Sequence, residues 1–234
     1  MHKADGDYSR EAAVYEALRD ARYPTAGVHT PRYYGSWTFS VPHPSPEDHE
    51  EGLGRGSVSS VLRPVRMILI EYLDGCTLHS LMYDKKGHYI PAVRNTYHES
   101  YRLHTWAKLL EAQALFDDAR VRNEDDAARN VMLVPRPTAR EPLSAQPTPR
   151  VVLIDFNLAV ACDRVKHEHS PPLPPPESEL PDNPLQDWWD REAYDFEGWV
   201  PEWYETDDKR RSEWLLEQFA RANASKWRPL YKNH

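Results

Sequence analysis

Asn123-Glu124-Asp125-Asp126-Ala127-Ala128-Arg129-Asn130-Val131-Met132-Leu133-Val134 and, after a proline-rich interval, Val151-Val152-Leu153-Ile154-Asp155-Phe156-Asn157 are the stretches on which the fold turns. Each carries four consecutive apolar residues, a run suited to a buried strand and short for a helix. Polar residues precede the first run and follow the second. Antiparallel pairing therefore gathers two carboxylates and a carboxamide at the mouth of one hairpin. The interval from Pro135 to Pro149 reads as an inflated, disordered tip, because proline is excluded from helix interiors and central strands.

Upstream, Ser9 to Asp20 is rich in good helix formers and sets Ala13, Ala17 and Leu18, with Val14 alongside, on one side of an amphipathic helix. Tyr33 to Phe39 and Val61 to Tyr72 are rich in aromatic and branched residues and read as an antiparallel pair of strands. The connection from Pro42 to Ser60, full of Pro, Gly, Ser and acidic residues, reads as a long mobile loop. Asp74-Gly75 has turn chemistry, and apolar residues then recur at helical spacing from about Ala92 to Phe116, which predicts one long helix.

Downstream, Ser170 to Pro184 should be extended, as a linker or a surface strap. Beyond it six tryptophans, Trp188, Trp189, Trp199, Trp203, Trp214 and Trp227, imply a tail docked on the main body, with a carbohydrate platform as the alternative. A helix from about Asp207 to Ala222 is expected there. His167-Glu168-His169 lacks a third ligand and is read as loop, not a zinc site.

A net charge of -8 and a pI near 5.8 disfavour nucleic acid as a partner. No leader-like segment and no apolar run near the ~20 residues of a membrane span is seen, so an intracellular protein, cytoplasmic or nuclear, is expected, with no membrane partner. Cys76 and Cys162 read as reduced thiols.

Phosphoryl transfer from ATP requires a hinge whose backbone meets adenine, a carboxylate that orients the attacking hydroxyl, and an Asn and an Asp that hold magnesium between the phosphates. The strand Met67 to Ile70 running into Glu71-Tyr72-Leu73-Asp74-Gly75, then Asp125, Asn130 and Asp155, supply these in the required order. On these residues the chain resembles the protein-kinase-like superfamily, and more closely small kinase-like proteins of filamentous fungi. The likeness covers about residues 9 to 160, and the tail resembles the fungal group alone.

The resemblance implies an α+β, bilobal fold with a truncated small lobe lacking its first strands and a mainly helical large lobe whose β-hairpin carries the metal-site residues. Residues 1–75 would form the residual small lobe, 76–169 the large lobe with the catalytic loop, and 170–234 the linker and tail. It implies ATP and Mg2+ as ligands. Asp125 would be the catalytic carboxylate, Asn130 and Asp155 the metal ligands, Ile70 the gatekeeper, Glu71 and Leu73 the hinge, and Glu11 the glutamate of the regulatory helix. The departures are the lack of a glycine-rich phosphate loop and of a strand-borne lysine to pair with Glu11; Lys3 lies closer than the usual spacing. Asn123 stands for the catalytic-loop histidine and can keep one hydrogen bond. Asn157 stands for a glycine at positive φ and is the residue type that best tolerates that region.

Two functions follow from the resemblance. One is an ATP-dependent phosphotransferase acting on a Ser/Thr side chain or a small alcohol, impaired by the missing parts. The other is a degenerate pseudokinase that binds a protein through its tryptophan-rich tail or through the exposed edge of the small lobe. A two-stranded ribbon is marginal alone, so the tail, a partner or a second copy is expected to cover it.

Overall fold

The computed structural model describes residues 3–23, 25–44, 60–163, 179–188 and 196–230. The protein is α+β, with small sheets and several helices. Helix α1 (Lys3–Asp20) carries Asp5 in its first turn and Arg19 in its last, which suits the helix dipole. Ala12, Val14, Tyr15 and Leu18 are buried, whereas Ala13 and Ala17 are half-buried, so the inward face is centred on Tyr15 and not on the small residues. A tight turn follows. The Thr25 carbonyl accepts from the amides of Val28, His29 and Thr30 at 3.0, 2.8 and 3.1 Å.

Strands β1 (Tyr33–Pro44) and β2 (Ser60–Ile70) form the expected antiparallel ribbon, from Tyr33↔Ile70 to Pro44↔Ser60. The ribbon thus runs through Pro42 to Pro44 and Ser60, which the sequence assigns to loop; residues 45–59 lie outside the described residues. Because side chains alternate across a strand, Trp37, Phe39, Val41, Met67 and Leu69 share one face, and all five are exposed. Ile68, on the other face, packs against the core.

After β3 (Cys76–Thr77) and α2 (Leu78–Met82), the single helix expected from Ala92 to Phe116 is two: α3 (Val93–Thr96) and α4 (Glu99–Asp118). The break falls at Tyr97-His98, where His98 Nδ1 accepts the Ser100 amide at 3.2 Å and starts a new helix. Strand β4 (Val121–Arg122) leads to the hairpin of β5 (Val131–Val134) and β6 (Arg150–Leu153), and β7 (Val160–Ala161) returns to pair with β4. Gly75 approaches the Leu133 carbonyl so closely that any side chain there would collide with it.

The interval between β5 and β6 is structured. Its Arg140 amide donates to the Thr96 carbonyl at 2.7 Å and its Leu143 amide to Ser100 Oγ at 3.2 Å, while Leu143 packs on the core. The tail is docked as well, through α5 (Pro184–Trp188), α6 (Glu202–Thr206) and α7 (Asp208–Leu216), the last widening to a π-type turn over Glu217–Arg221. Trp106 of α4 tilts against Phe196 and meets Tyr204 edge-on, with ring centroids 5.2 and 5.8 Å apart. Trp199 and Trp227 are buried in the same core, which is inconsistent with a platform of exposed rings. The tail therefore covers α4, and among the described residues the ribbon's apolar face stays uncovered. His167 to His169 and most of the strap from Ser170 lie outside the described residues.

Buried His29 fastens the turn after α1 to the body, since its carbonyl accepts the Leu153 amide at 2.8 Å and its Nε2 lies 3.9 Å from Glu111. Burial alone would raise the Glu111 carboxyl, but His29 and Lys108, the latter at 2.6 Å, outweigh it and bring it down to about 2.

Replacing residues 138–146 with a short Gly-Ser turn removes two tertiary hydrogen bonds and the Leu143 contact, and should lower the melting temperature by about 5 °C; an unchanged melting curve would return the interval to the status of a passive loop. Because folding lowers the Glu111 pKa from 4.5, ionised Glu111 stabilises the fold above that value and the contribution fades as pH falls toward about 2. Chemical denaturation of Glu111→Gln should therefore show a weaker fold at neutral pH and a flatter loss of stability between these two values.

Candidate functional site

The turn between β4 and β5 is built by its own amides. Asn123 Oδ1 accepts from the Asp125 amide at 3.4 Å. A 3-10 turn over Ala128–Asn130 follows, and the Asn130 amide donates to the Ala127 carbonyl at 2.8 Å. Buried Asn130 then donates from Nδ2 to the Asp125 carbonyl at 3.0 Å, and its own carbonyl accepts the Ile154 amide at 2.9 Å. One residue thus stitches the turn bearing Asp125 to the chain that enters Asp155. With Val131 paired to Leu153, Asn130 and Asp155 stand at the same end of the hairpin.

Asp155 is exposed and has φ 63°, a left-handed conformation uncommon for a side-chain-bearing residue and held only where surroundings over-determine it. Asn157, which the sequence assigns to that conformation, does not adopt it. The constraint is local: Phe156 is fully buried, and the Ile154 amide is spoken for by Asn130, so the chain must turn at the residue between them.

Glu11 of α1 faces this corner. Burial pushes its carboxyl above the usual range, the charge of Asp155 pushes it further, and the Phe156 amide offsets part of the effect. Tyr15, one turn on from Glu11, has its phenol raised by burial and then by Glu11 and Asp155. Its hydroxyl is buried with no hydrogen-bond partner among the described residues. Tyr15 also stacks on Tyr33 at 5.5 Å and takes the edge of Phe156 at 5.2 Å. The sequence reading missed Tyr15 as part of this corner; its position four residues after Glu11 was the available signal.

Asp125 is less free than an unpaired base. Arg129 Nη2 reaches both of its carboxylate oxygens, at 2.8 and 2.6 Å, and the side chain is only 14% exposed.

In the hinge, Ile70 ends β2 opposite Tyr33. The Glu71 amide donates to the Arg32 carbonyl at 2.8 Å, and its carboxylate accepts the Arg32 amide at 3.0 Å and both Arg150 Nη atoms at 3.1 and 2.9 Å. Hydrogen bonding from Arg150 holds the Glu71 carboxyl below its ordinary range. The Glu71 side chain is thus a clamp between the ribbon and β6. The Leu73 carbonyl accepts the Gly75 amide at 3.1 Å. Among the described residues the Glu71 carbonyl and the Leu73 amide have no backbone partner, and neither has either backbone group of Tyr72 between them.

Among the described residues no group of three or more His, Cys, Asp or Glu side chains is arranged to hold a metal ion, and no helix is long and apolar enough to cross a membrane. No family model matches the chain, and no curated protein matches it.

The Glu11–Asp155 interaction has a direct check. In Asp155→Asn, which removes the charge and keeps a residue tolerant of positive φ, the Glu11 pKa measured by NMR titration should fall. An unchanged value would show that the two carboxylates do not sense each other.

Proposed function

We propose that the chain is a protein-kinase-like protein that binds ATP with magnesium and transfers the terminal phosphoryl group to a hydroxyl acceptor, a Ser/Thr side chain or a small alcohol. The observation that carries the reading is the double tie of Asn130, to the Asp125 carbonyl and to the Ile154 amide, which sets three candidate residues at one hairpin mouth. The Asn130 Nδ2 is committed to Asp125, so Oδ1 is its free end. That oxygen and the exposed Asp155 carboxylate match the donors that magnesium takes. Such an ion leaves most of its positions to water and phosphate, so a closed cluster of protein ligands is not required. Magnesium bound between phosphates neutralises charge that develops on the transferred group. Under this reading the Glu71 carbonyl and Leu73 amide receive adenine next to Ile70, and Asp125 orients the acceptor hydroxyl.

A second reading, a degenerate module that binds nucleotide or protein without turnover, is favoured by the Arg129 lock on Asp125. Its protein-binding surface would be the ribbon face bearing Trp37, Phe39 and Met67, since Trp199, Trp203, Trp214 and Trp227 of the tail are engaged with the body.

In thermal-shift measurements ATP should raise the melting temperature by several degrees with magnesium and little without it. Asp155→Asn should lose the magnesium-dependent part while folding normally. Identical shifts with and without the metal, or in parent and variant, would remove the metal role. ATP consumption by the parent that Arg129→Ala increases supports the phosphotransferase, whereas metal-dependent binding with no consumption by either supports the module.

A further inference from the structure

A separate cleft of about 460 Å³ opens where the α3–α4 junction, the interval after β5 and the start of α6 meet. None of its lining residues belongs to the hinge, the Asp125 turn or the Asp155 corner. Arg94, Arg102 and Arg140 line it, together with Glu99, Glu202 and Trp203.

The charges there do not cancel. Arg94 pairs with Glu202 at 3.4 Å, and Glu99 is met by Arg210 at 3.6 Å and by the Trp203 indole at 3.0 Å. That leaves Arg102 and Arg140 without a salt bridge among the described residues, Arg102 sensing Glu99 only through space. Arg102 is only 4% exposed. Its Nε donates to the Tyr97 carbonyl at 3.0 Å and its Nη1 to the Trp199 carbonyl, while Nη2 has no protein partner among the described residues. Burial lowers the Arg102 pKa, Glu99 opposes this and Arg94 reinforces it, so a buried cation stands short of compensating charge. Arg140 has a left-handed conformation, φ 64°, and the hydrogen bond from its amide to the Thr96 carbonyl sets its backbone at the rim, with the side chain exposed. The first amides of α4 are already used by His98, so the positive character of the cleft comes from guanidinium groups.

We propose that this cleft binds a small organic phosphate monoester, with Arg102 Nη2 as the inner anchor and Arg140 closing on the phosphate from the rim. Two guanidinium groups without a salt bridge among the described residues match a dianion, and planar guanidinium suits phosphate oxygens. The cleft is of the size that holds small organic ligands, larger than phosphate alone requires, and Tyr97, Pro201 and Trp203 offer walls for an apolar body.

Phenyl phosphate, inorganic phosphate and phenol are suitable probes, titrated by calorimetry and followed for the phosphates by 31P NMR. Omitting nucleotide and magnesium keeps the result independent of the kinase-like reading. Phenyl phosphate should bind the parent saturably at one site, inorganic phosphate more weakly and phenol not at all. Because Arg102 also holds two carbonyls of the fold, the decisive variant is Arg140→Glu, which should keep the parent melting temperature and weaken phenyl phosphate by about tenfold or more. Absence of saturable binding to the parent, equal binding by Arg140→Glu, or phenol binding as tightly as phenyl phosphate would overturn the assignment.

Discussion

Tyr33, Tyr15, Phe156 and Phe116 form a continuous run of aromatic contacts, with successive ring centroids 5.5, 5.2 and 5.8 Å apart. Each ring belongs to a different part of the molecule: the base of β1, the inward face of α1, the chain after β6 and the last turn of α4. Such pairs contribute about 0.5–1.5 kcal/mol each beyond the area they bury. Their position matters more than their sum. The ribbon has no third strand among the described residues, and a two-stranded ribbon alone is marginal. Tyr33, with Ile70 opposite it, is where the ribbon is tied to a core, and the Glu71 clamp to Arg150 reinforces that end.

The same aromatic run sets the geometry of the Asp155 corner. Phe156 must stay inside to fill the space between Tyr15 and Phe116, and the Asn130 carbonyl holds Ile154 in register. The residue between them takes the strained conformation. Its carboxylate is thereby turned out to solvent, next to the helix that carries Glu11. The corner is thus a by-product of core packing, which explains why its shape depends on Tyr15, a residue that contributes no charge at neutral pH.

Much of the scaffold was legible in the sequence because it rests on local pattern. Branched and apolar runs identify the ribbon and the β5–β6 hairpin, and the order of Asp125, Asn130 and Asp155 along that hairpin gives their convergence. What was not legible depends on partners far along the chain. Glu71 meets Arg150 across 79 positions, so hinge spacing alone could not disclose a clamp. The interval from Pro135 to Pro149 has the composition of a loop, yet its amides find Thr96 and Ser100. In α1 the face read from Ala13, Ala17 and Leu18 with Val14 holds at Val14 and Leu18, but the large ring of Tyr15 has more area to bury and leaves Ala13 and Ala17 half-exposed. At Tyr97-His98 a side-chain cap interrupts an apolar periodicity that runs on without a break.

Charge pairing separates the acidic groups into two kinds. Asp125 is matched by Arg129, Glu71 by Arg150, and Glu111 by Lys108 and His29, so each of these carboxylates strengthens the fold that holds it. Glu11 and Asp155 face each other with no cationic side chain paired to either among the described residues, and the Glu11 pKa is raised first by burial and then by this repulsion. Stability would favour a neutral residue at one of these positions. A bound cation would turn the same repulsion into attraction, and the exposed carboxylate at the strained corner is the half accessible to it. The cationic cleft beside α4 stands in the converse condition, with two guanidinium groups that form no salt bridge among the described residues.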